Sequence, residues 1–272
     1  MGMSMQVLEW SRFIRGALKD EMPGSEQGTA VTIGVFDGMH RGHRALIERI
    51  VGRRPSLIPI VVTFRQSPKA ALKKSGWTGD LLSLNRKLAF FENLGVEAVI
   101  LIDFSLNFSK ITGKEFIDLL IRWGKPLFIL VGAGFRCGYQ MDTDATRIKA
   151  LVKGVEISVE VADPVLEGLH AVSSSRIRSA IFEGDLVQAA RLLGRNVEID
   201  VSGMTVSFRT GGLFYHTVSQ RRITPAPGRY SVVLHGGDAG LRIKTDVFVE
   251  KEGVFVPLSV NAEWIEFLRA DH

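Results

Sequence analysis

Two histidines three residues apart, His40 and His43, follow an apolar run, Ala30–Phe36, and a tight Asp37-Gly38 turn. Ala45, Leu46, Ile47 and Ile50 come next at helical spacing, so the stretch reads as buried strand, glycine-bearing turn and helix. That geometry aims backbone N–H groups at an anion on the helix N-terminus. Gly34, Gly38 and Gly42 let the backbone approach a phosphate without obstruction from a Cβ. Two imidazoles straddling the turn can reach one phosphate chain. On its own, His-x-x-His is weak evidence and reads sooner as a surface pair or a metal-binding pair, so the surrounding residues must decide.

A second segment, Ser173-Ser174-Ser175-Arg176-Ile177-Arg178, sits where a loop turns into a helix. Serines at such a place are good N-caps. Arg178 adds a guanidinium able to hold phosphate oxygens by charge-assisted hydrogen bonds.

The chain that must position these groups has 272 residues, enough for two domains. Its 46% hydrophobic and 23% charged content is ordinary for a globular protein. No apolar run reaches the ~18 residues of a membrane helix, and the first twenty residues lack the apolar core and cleavage site of a signal peptide. The single cysteine, Cys137, forbids an internal disulfide and fits a reducing cytoplasm. A net charge of +5 suits attraction of anionic nucleotides. Nucleic-acid binding calls for a basic block interleaved with aromatics. Arg53-Arg54, Lys73-Lys74 and Arg221-Arg222 are only scattered doublets, so neither nucleic acid nor membrane is expected as a partner.

From Ala30 the pattern alternates. Strands are predicted at 30–36, 58–64, 97–102, 127–132 and 155–161, after a short one near Met5–Leu8. Helices are predicted at 43–52, 83–94, 113–122, 144–152, 175–183 and 185–193, one opened by the capping-box pattern Thr112-Gly-Lys-Glu115. Alternating βα units imply an α/β fold with a parallel sheet, which binds ligands beyond the carboxyl ends of its strands. Composition shifts near residue 196 to short apolar alternations, such as Tyr230, Val232 and Leu234, separated by glycine-rich or charged turns. These read as a small antiparallel β barrel-like domain. The expected division is 1–196 and 197–272, with 261–268 leaning toward a short helix.

In combination, Gly34-x-Phe36-Asp37-Gly38-x-His40-x-Gly42-His43 resembles the adenylyl-binding signature of the Rossmann-like nucleotidylyltransferase superfamily. In this form it is similar to that of the prokaryotic FAD synthetases, bifunctional riboflavin kinase/FMN adenylyltransferases. The serine-arginine block resembles that family's Ser-Ser-Thr-x-Ile-Arg. Gly184-Asp185-Leu186 and Ala189-Ala-Arg-Leu-Leu-Gly-Arg195 match its downstream motifs in the same order. The resemblance covers about residues 30 to 203. It implies adenylyl transfer from ATP to FMN, giving FAD and pyrophosphate. His40, His43 and Arg178 become the catalytic candidates. Gly34, Val35, Phe36, Asp37, Gly38, Gly42, Ser174 and Ser175 become ATP-binding candidates. Mg²⁺ would travel with ATP, and no set of protein metal ligands is assigned.

The chain departs from the family in three places. After Val61-Val-Thr-Phe64 the Pro-His-Pro element is reduced to Pro68. In Val131-Gly-Ala-Gly-Phe135-Arg-Cys-Gly138, Gly134 and Cys137 replace an acid or amide and an aromatic. Phe64, Phe104 and Phe135 are the flavin-stacking candidates, with ordinary core packing as the alternative. Beyond Val201 the kinase half's Gly-x-Pro-Thr-Ala-Asn block is missing, although Pro225-Ala-Pro-Gly-Arg-Tyr-Ser-Val232 is similar to its later strand. The expectation is a shortened kinase-like domain without kinase activity. Another nucleotidylyltransferase, or a flavin- or nucleotide-binding protein without turnover, are the competing readings.

Overall fold

The computed structural model describes residues 4–22, 24–72, 79–105, 107–217, 222–236 and 240–268. They form two compact units. The first takes the described residues of 1–36, 42–74 and 87–165, the second those of 37–41, 75–86 and 166–272. Of the basic doublets, Lys73, Lys74 and Arg221 lie outside the described residues, while Arg53 and Arg54 are paired with Glu160 and Glu97.

The first unit is built on six strands: β1 (Gln6–Glu9), β2 (Thr29–Ile33), β3 (Ile58–Phe64), β4 (Ala98–Ile102), β5 (Pro126–Gly132) and β6 (Ser158–Ala162). All pair in parallel in the order β1-β4-β3-β2-β5-β6. All five residues of β2 and all five of β4 are buried, which explains why these strands read as continuous apolar runs rather than alternations. Helices α1 (Arg41–Val51), α2 (Leu84–Asn93), α3 (Gly113–Gly124) and α4 (Ala145–Leu151) alternate with them. The capping box at Thr112 and Glu115 forms as predicted, closing both reciprocal hydrogen bonds.

The chain runs outward from β2 through β3 to β4, then returns to the other side of β2 with β5 and β6. The strand order therefore reverses between β2 and β5. A parallel sheet opens a ligand crevice at such a reversal, beyond the strands' carboxyl ends. The predicted strand 30–36 overran this end. β2 stops at Ile33 because Phe36 adopts a left-handed backbone, φ 52°, that no strand accommodates.

The second unit holds helices α5 (Ser174–Phe182) and α6 (Leu186–Leu193) and an antiparallel sheet of seven strands. These are β7 (Val197–Asp200), β8 (Val206–Arg209), β9 (Gly212–His216), β10 (Gly228–His235), β11 (Arg242–Glu250), β12 (Gly253–Val256) and β13 (Trp264–Phe267). Their order is β7-β13-β10-β11-β12-β9-β8. One face buries Val232, Leu234, Val247, Val249, Val254, Val256, Ile265 and Phe267, the inward half of each alternation. The short helix expected over 261–268 is a strand. Trp264–Phe267 pairs with β7 on one side and β10 on the other, and eight ladder partners outweigh the weak helical bias of so short a segment.

Candidate functional site

The turn after β2 carries the signature residues. In the first unit, Gly34 N–H donates to the Val62 carbonyl at 3.0 Å, prolonging the pairing with β3 by one residue. A Cβ on Gly34 would meet the Phe36 ring at 3.2 Å, so glycine there lets Phe36 fold back over the strand end. Phe36 is buried and packs edge-on against His43 (ring centroids 5.2 Å) and Phe91 (5.5 Å). A left-handed phenylalanine costs about 1 to 3 kcal/mol and persists only where its surroundings hold it. The Val35 carbonyl accepts from Thr63 Oγ1 at 3.2 Å and from Lys87 Nζ at 3.3 Å. Lys87 is buried and also donates to the Phe64 carbonyl at 2.7 Å, so its ammonium ties the ends of β2 and β3 together.

In the second unit, residues 37–41 are fixed by a polar set. Asp37 Oδ1 accepts from Leu81 N–H at 2.9 Å and Leu82 N–H at 3.3 Å, and Oδ2 accepts from Arg178. Arg178 also donates from Nε to the Gly79 carbonyl at 2.9 Å. Ser174 Oγ donates to the Asp37 carbonyl at 2.8 Å. Arg195 spans the next two carbonyls, reaching Gly38 at 3.0 Å and Met39 at 3.1 Å. Gly38 has φ 84°, and a Cβ there would lie 2.7 Å from Leu81 Cδ1, so conformation and space both exclude a larger residue.

His40 is buried beside this set. Burial, and secondly the Arg195 charge, push its imidazole down to about 4, so it is neutral at physiological pH. It can donate one N–H to an anion without bringing a charge. Ser173, not Ser174 or Ser175, is the cap of α5, accepting from Arg176 N–H at 3.3 Å. Arg41 at the start of α1 pairs with Glu167 at 2.5 Å.

The structure thus gathers Asp37, Gly38, His40, Ser174 and Arg178 in one unit, and Gly34, Val35, Phe36, Gly42 and His43 at the end of β2 and the start of α1 in the other. Among the flavin candidates, Phe64 and Phe104 meet edge to face at 5.8 Å, each also touching Phe108. Phe135 packs partly buried against the core of the first unit.

Three participants went unassigned in the sequence. Arg195 closes the quoted Leu-Leu-Gly-Arg run, and only its hydrogen bonds to the Gly38 and Met39 carbonyls reveal a role. Lys87 had a signal, because it falls between Leu84 and Phe91 on the inward stripe of α2, where a lysine needs a reason. The partners of Asp37 at Leu81 and Leu82 are backbone groups, which leave no sequence signal.

Among the described residues there is no cluster of three or more His, Cys, Asp or Glu suited to a metal ion. No helix among them is long and apolar enough to cross a membrane.

This arrangement coincides with clear relationships to known proteins. Residues 22–176, more than half of the chain, match the FAD synthetase family. The bifunctional riboflavin kinase/FMN adenylyltransferase of Escherichia coli K12 is 29% identical over 235 residues, covering 83% of this chain and 74% of that one. The Pseudomonas fluorescens protein of the same description is 31% identical over 213 residues, covering 76% and 68%. A crystal structure described as a macrolide-efflux protein from Streptococcus pneumoniae superposes with a TM-score of 0.70 at 25% identity, over 88% of this chain and 92% of that one. The signature turn, the strand order behind it and the extent of these matches agree: the chain belongs to the FAD synthetase family and is a nucleotidyltransferase.

Proposed function

We propose that this protein transfers AMP from ATP to FMN, releasing pyrophosphate and forming FAD. The observation that carries the reading is the signature stretch itself: it leaves β2 where the strand order reverses and continues into residues 37–40, which Arg178 and Arg195 fix within the second unit. A phosphate monoester is mostly dianionic near pH 7, so the FMN phosphate needs no general base to attack the α-phosphorus. As the new P–O bond forms, the bond to pyrophosphate breaks. The difficulty lies in bringing polyanions together and stabilising the charge that develops.

The residues suit that task. Neutral His40 is proposed to donate an N–H to the phosphate chain, and His43 is assigned to the same chain. The amino end of α1, from Arg41 and Gly42, supplies its partial positive charge. Arg178 carries five N–H donors, and those not engaged by Asp37 and Gly79 serve the pyrophosphate, assisted by Ser174 and Ser175. The Asp37 carboxylate already accepts from two amides and a guanidinium, so it is a poor cation ligand. Mg²⁺ is proposed to arrive on the ATP phosphates with its own waters, as that ion prefers. Phe64, Phe104 and Phe135 are proposed to face the isoalloxazine.

The adenylyltransferase domain is proposed to span 1–196 and the β domain 197–272. Riboflavin kinase activity is proposed to be absent, because no Gly-x-Pro-Thr-Ala-Asn block follows Val201. One assay tests both halves: incubation with ATP, Mg²⁺ and either FMN or riboflavin, with chromatographic separation of products. FAD from FMN alone is expected. FMN formed from riboflavin overturns the loss of the kinase, and flavin binding without any FAD overturns the transferase.

A further inference from the structure

The β sheet of the second unit is joined to the signature turn through residues 79–86, which belong to the same unit. One side of this segment serves the turn. Leu81 and Leu82 donate their amides to Asp37, Gly79 gives its carbonyl to Arg178, and Leu81 packs where Gly38 has no side chain. The other side is held by the sheet. Arg86 makes a bidentate pair with Glu198 of β7 (2.9 and 3.1 Å) and lies 4.2 Å over the Trp264 ring of β13. Ser83 donates to Asp200 at the end of β7. Arg222 donates to the Leu82 carbonyl at 3.4 Å, and the Ile223 amide to that of Asp80 at 3.4 Å.

Glu198 is almost fully shielded and Arg86 mostly so. A two-pronged, desolvated pair of this kind fixes orientation as well as distance. The segment is thus a backbone bridge whose register is set by the sheet and whose amides set the Asp37 carboxylate.

We infer that Arg86 and Glu198 are positioning residues for nucleotide binding: the sheet, though stripped of a kinase motif, holds the phosphate-binding turn in shape through residues 79–86. The inference rests on the adenylyltransferase reading of that turn. It gives the β domain a task in the remaining reaction, independent of any chemistry of its own.

The test uses full-length Arg86→Ala, Glu198→Gln and Arg86→Lys variants. ATP binding is measured by calorimetric titration, and amide hydrogen exchange at Leu81 and Leu82, with Val232 and Val247 in the sheet as controls. Arg86→Ala and Glu198→Gln are expected to speed exchange at Leu81 and Leu82 and to weaken ATP binding roughly two- to thirtyfold, the usual range for coupling through intermediate residues. The KM for ATP should rise more than kcat falls, the control amides should stay protected, and Arg86→Lys, which keeps the charge but not the two-pronged pairing, should recover only part of the affinity. Unchanged exchange at Leu81 and Leu82 overturns the inference, as does equal loosening of the control amides or unaltered ATP affinity once the segment is loosened. If the wild-type chain binds no ATP, the functional reading fails instead, and the exchange rates still decide whether Arg86 holds the segment.

Discussion

The guanidinium of Arg178 on α5 is committed to the carboxylate of Asp37 in the turn after β2, residues far apart in sequence that form one buried ion pair. Each is largely shielded from solvent, and each has a second set of partners: the Leu81 and Leu82 amides for Asp37, the Gly79 carbonyl for Arg178. A pair in such surroundings is costly to break from one side, because the survivor is left charged and desolvated.

Asp37→Asn is therefore expected to lower stability by about 3 kcal/mol, read as a fall in the denaturant midpoint at constant slope. Asp37→Asn combined with Arg178→Met should be less destabilised than the sum of the two single changes. Strict additivity in that cycle would show that the two side chains are not coupled.

His40 makes stability depend on pH. Its imidazole ordinarily titrates near 6.5 and is held down to about 4 in the native protein. Above 6.5 neither state carries the proton. Between 6.5 and 4 the unfolded chain takes it up and the native protein does not, so stability falls as pH falls. The full loss is roughly 3 kcal/mol, and it levels off below pH 4. Thermal melts at pH 7 and pH 5 should show the wild type losing more than His40→Gln does. Parallel slopes for the two proteins would contradict a depressed His40.

His43→Ala should reduce the rate of FAD formation by roughly 10²-fold, the scale of a lost oxyanion donor. The melting temperature should change little, because His43 is only partly buried. Wild-type turnover in that variant would remove the imidazole from the reaction.

Lys87→Met should cost about 1 to 3 kcal/mol by taking its donor from the Phe64 carbonyl and leaving the Val35 carbonyl to Thr63 alone. Proteolysis should then cut the chain more readily near residues 34–38. If chemical denaturation finds Lys87→Met as stable as the parent, the ammonium is not what ties β2 to β3.

Much of this was legible in the sequence, and the reasons are local. β2 and β4 announce themselves because a strand buried on both faces is mostly apolar rather than alternating, and the Thr112 capping box because its two hydrogen bonds lie three residues apart. The turn after β2 was visible because its glycines and histidines stand at the fixed offsets of the family signature. What stayed hidden is long-range. The strand at Trp264–Phe267 is made by its two neighbours in the sheet, and the end of β2 at Ile33 by a backbone twist at Phe36. Arg178 was read as a phosphate ligand alone, because its partner Asp37 is far away along the chain. Arg195 and the 79–86 segment escaped for the same reason, since they act through main-chain groups that every residue possesses.

β13 slots between β7 and β10 although it follows both in sequence. During synthesis β7 has no ladder partner until β13 has emerged. Glu198 and Asp200, which sit on β7, gain a settled platform only when that slot fills. On the ribosome, then, every strand of the parallel sheet has emerged before the grip on residues 79–86 can be completed, so catalytic competence should await the pairing of β13.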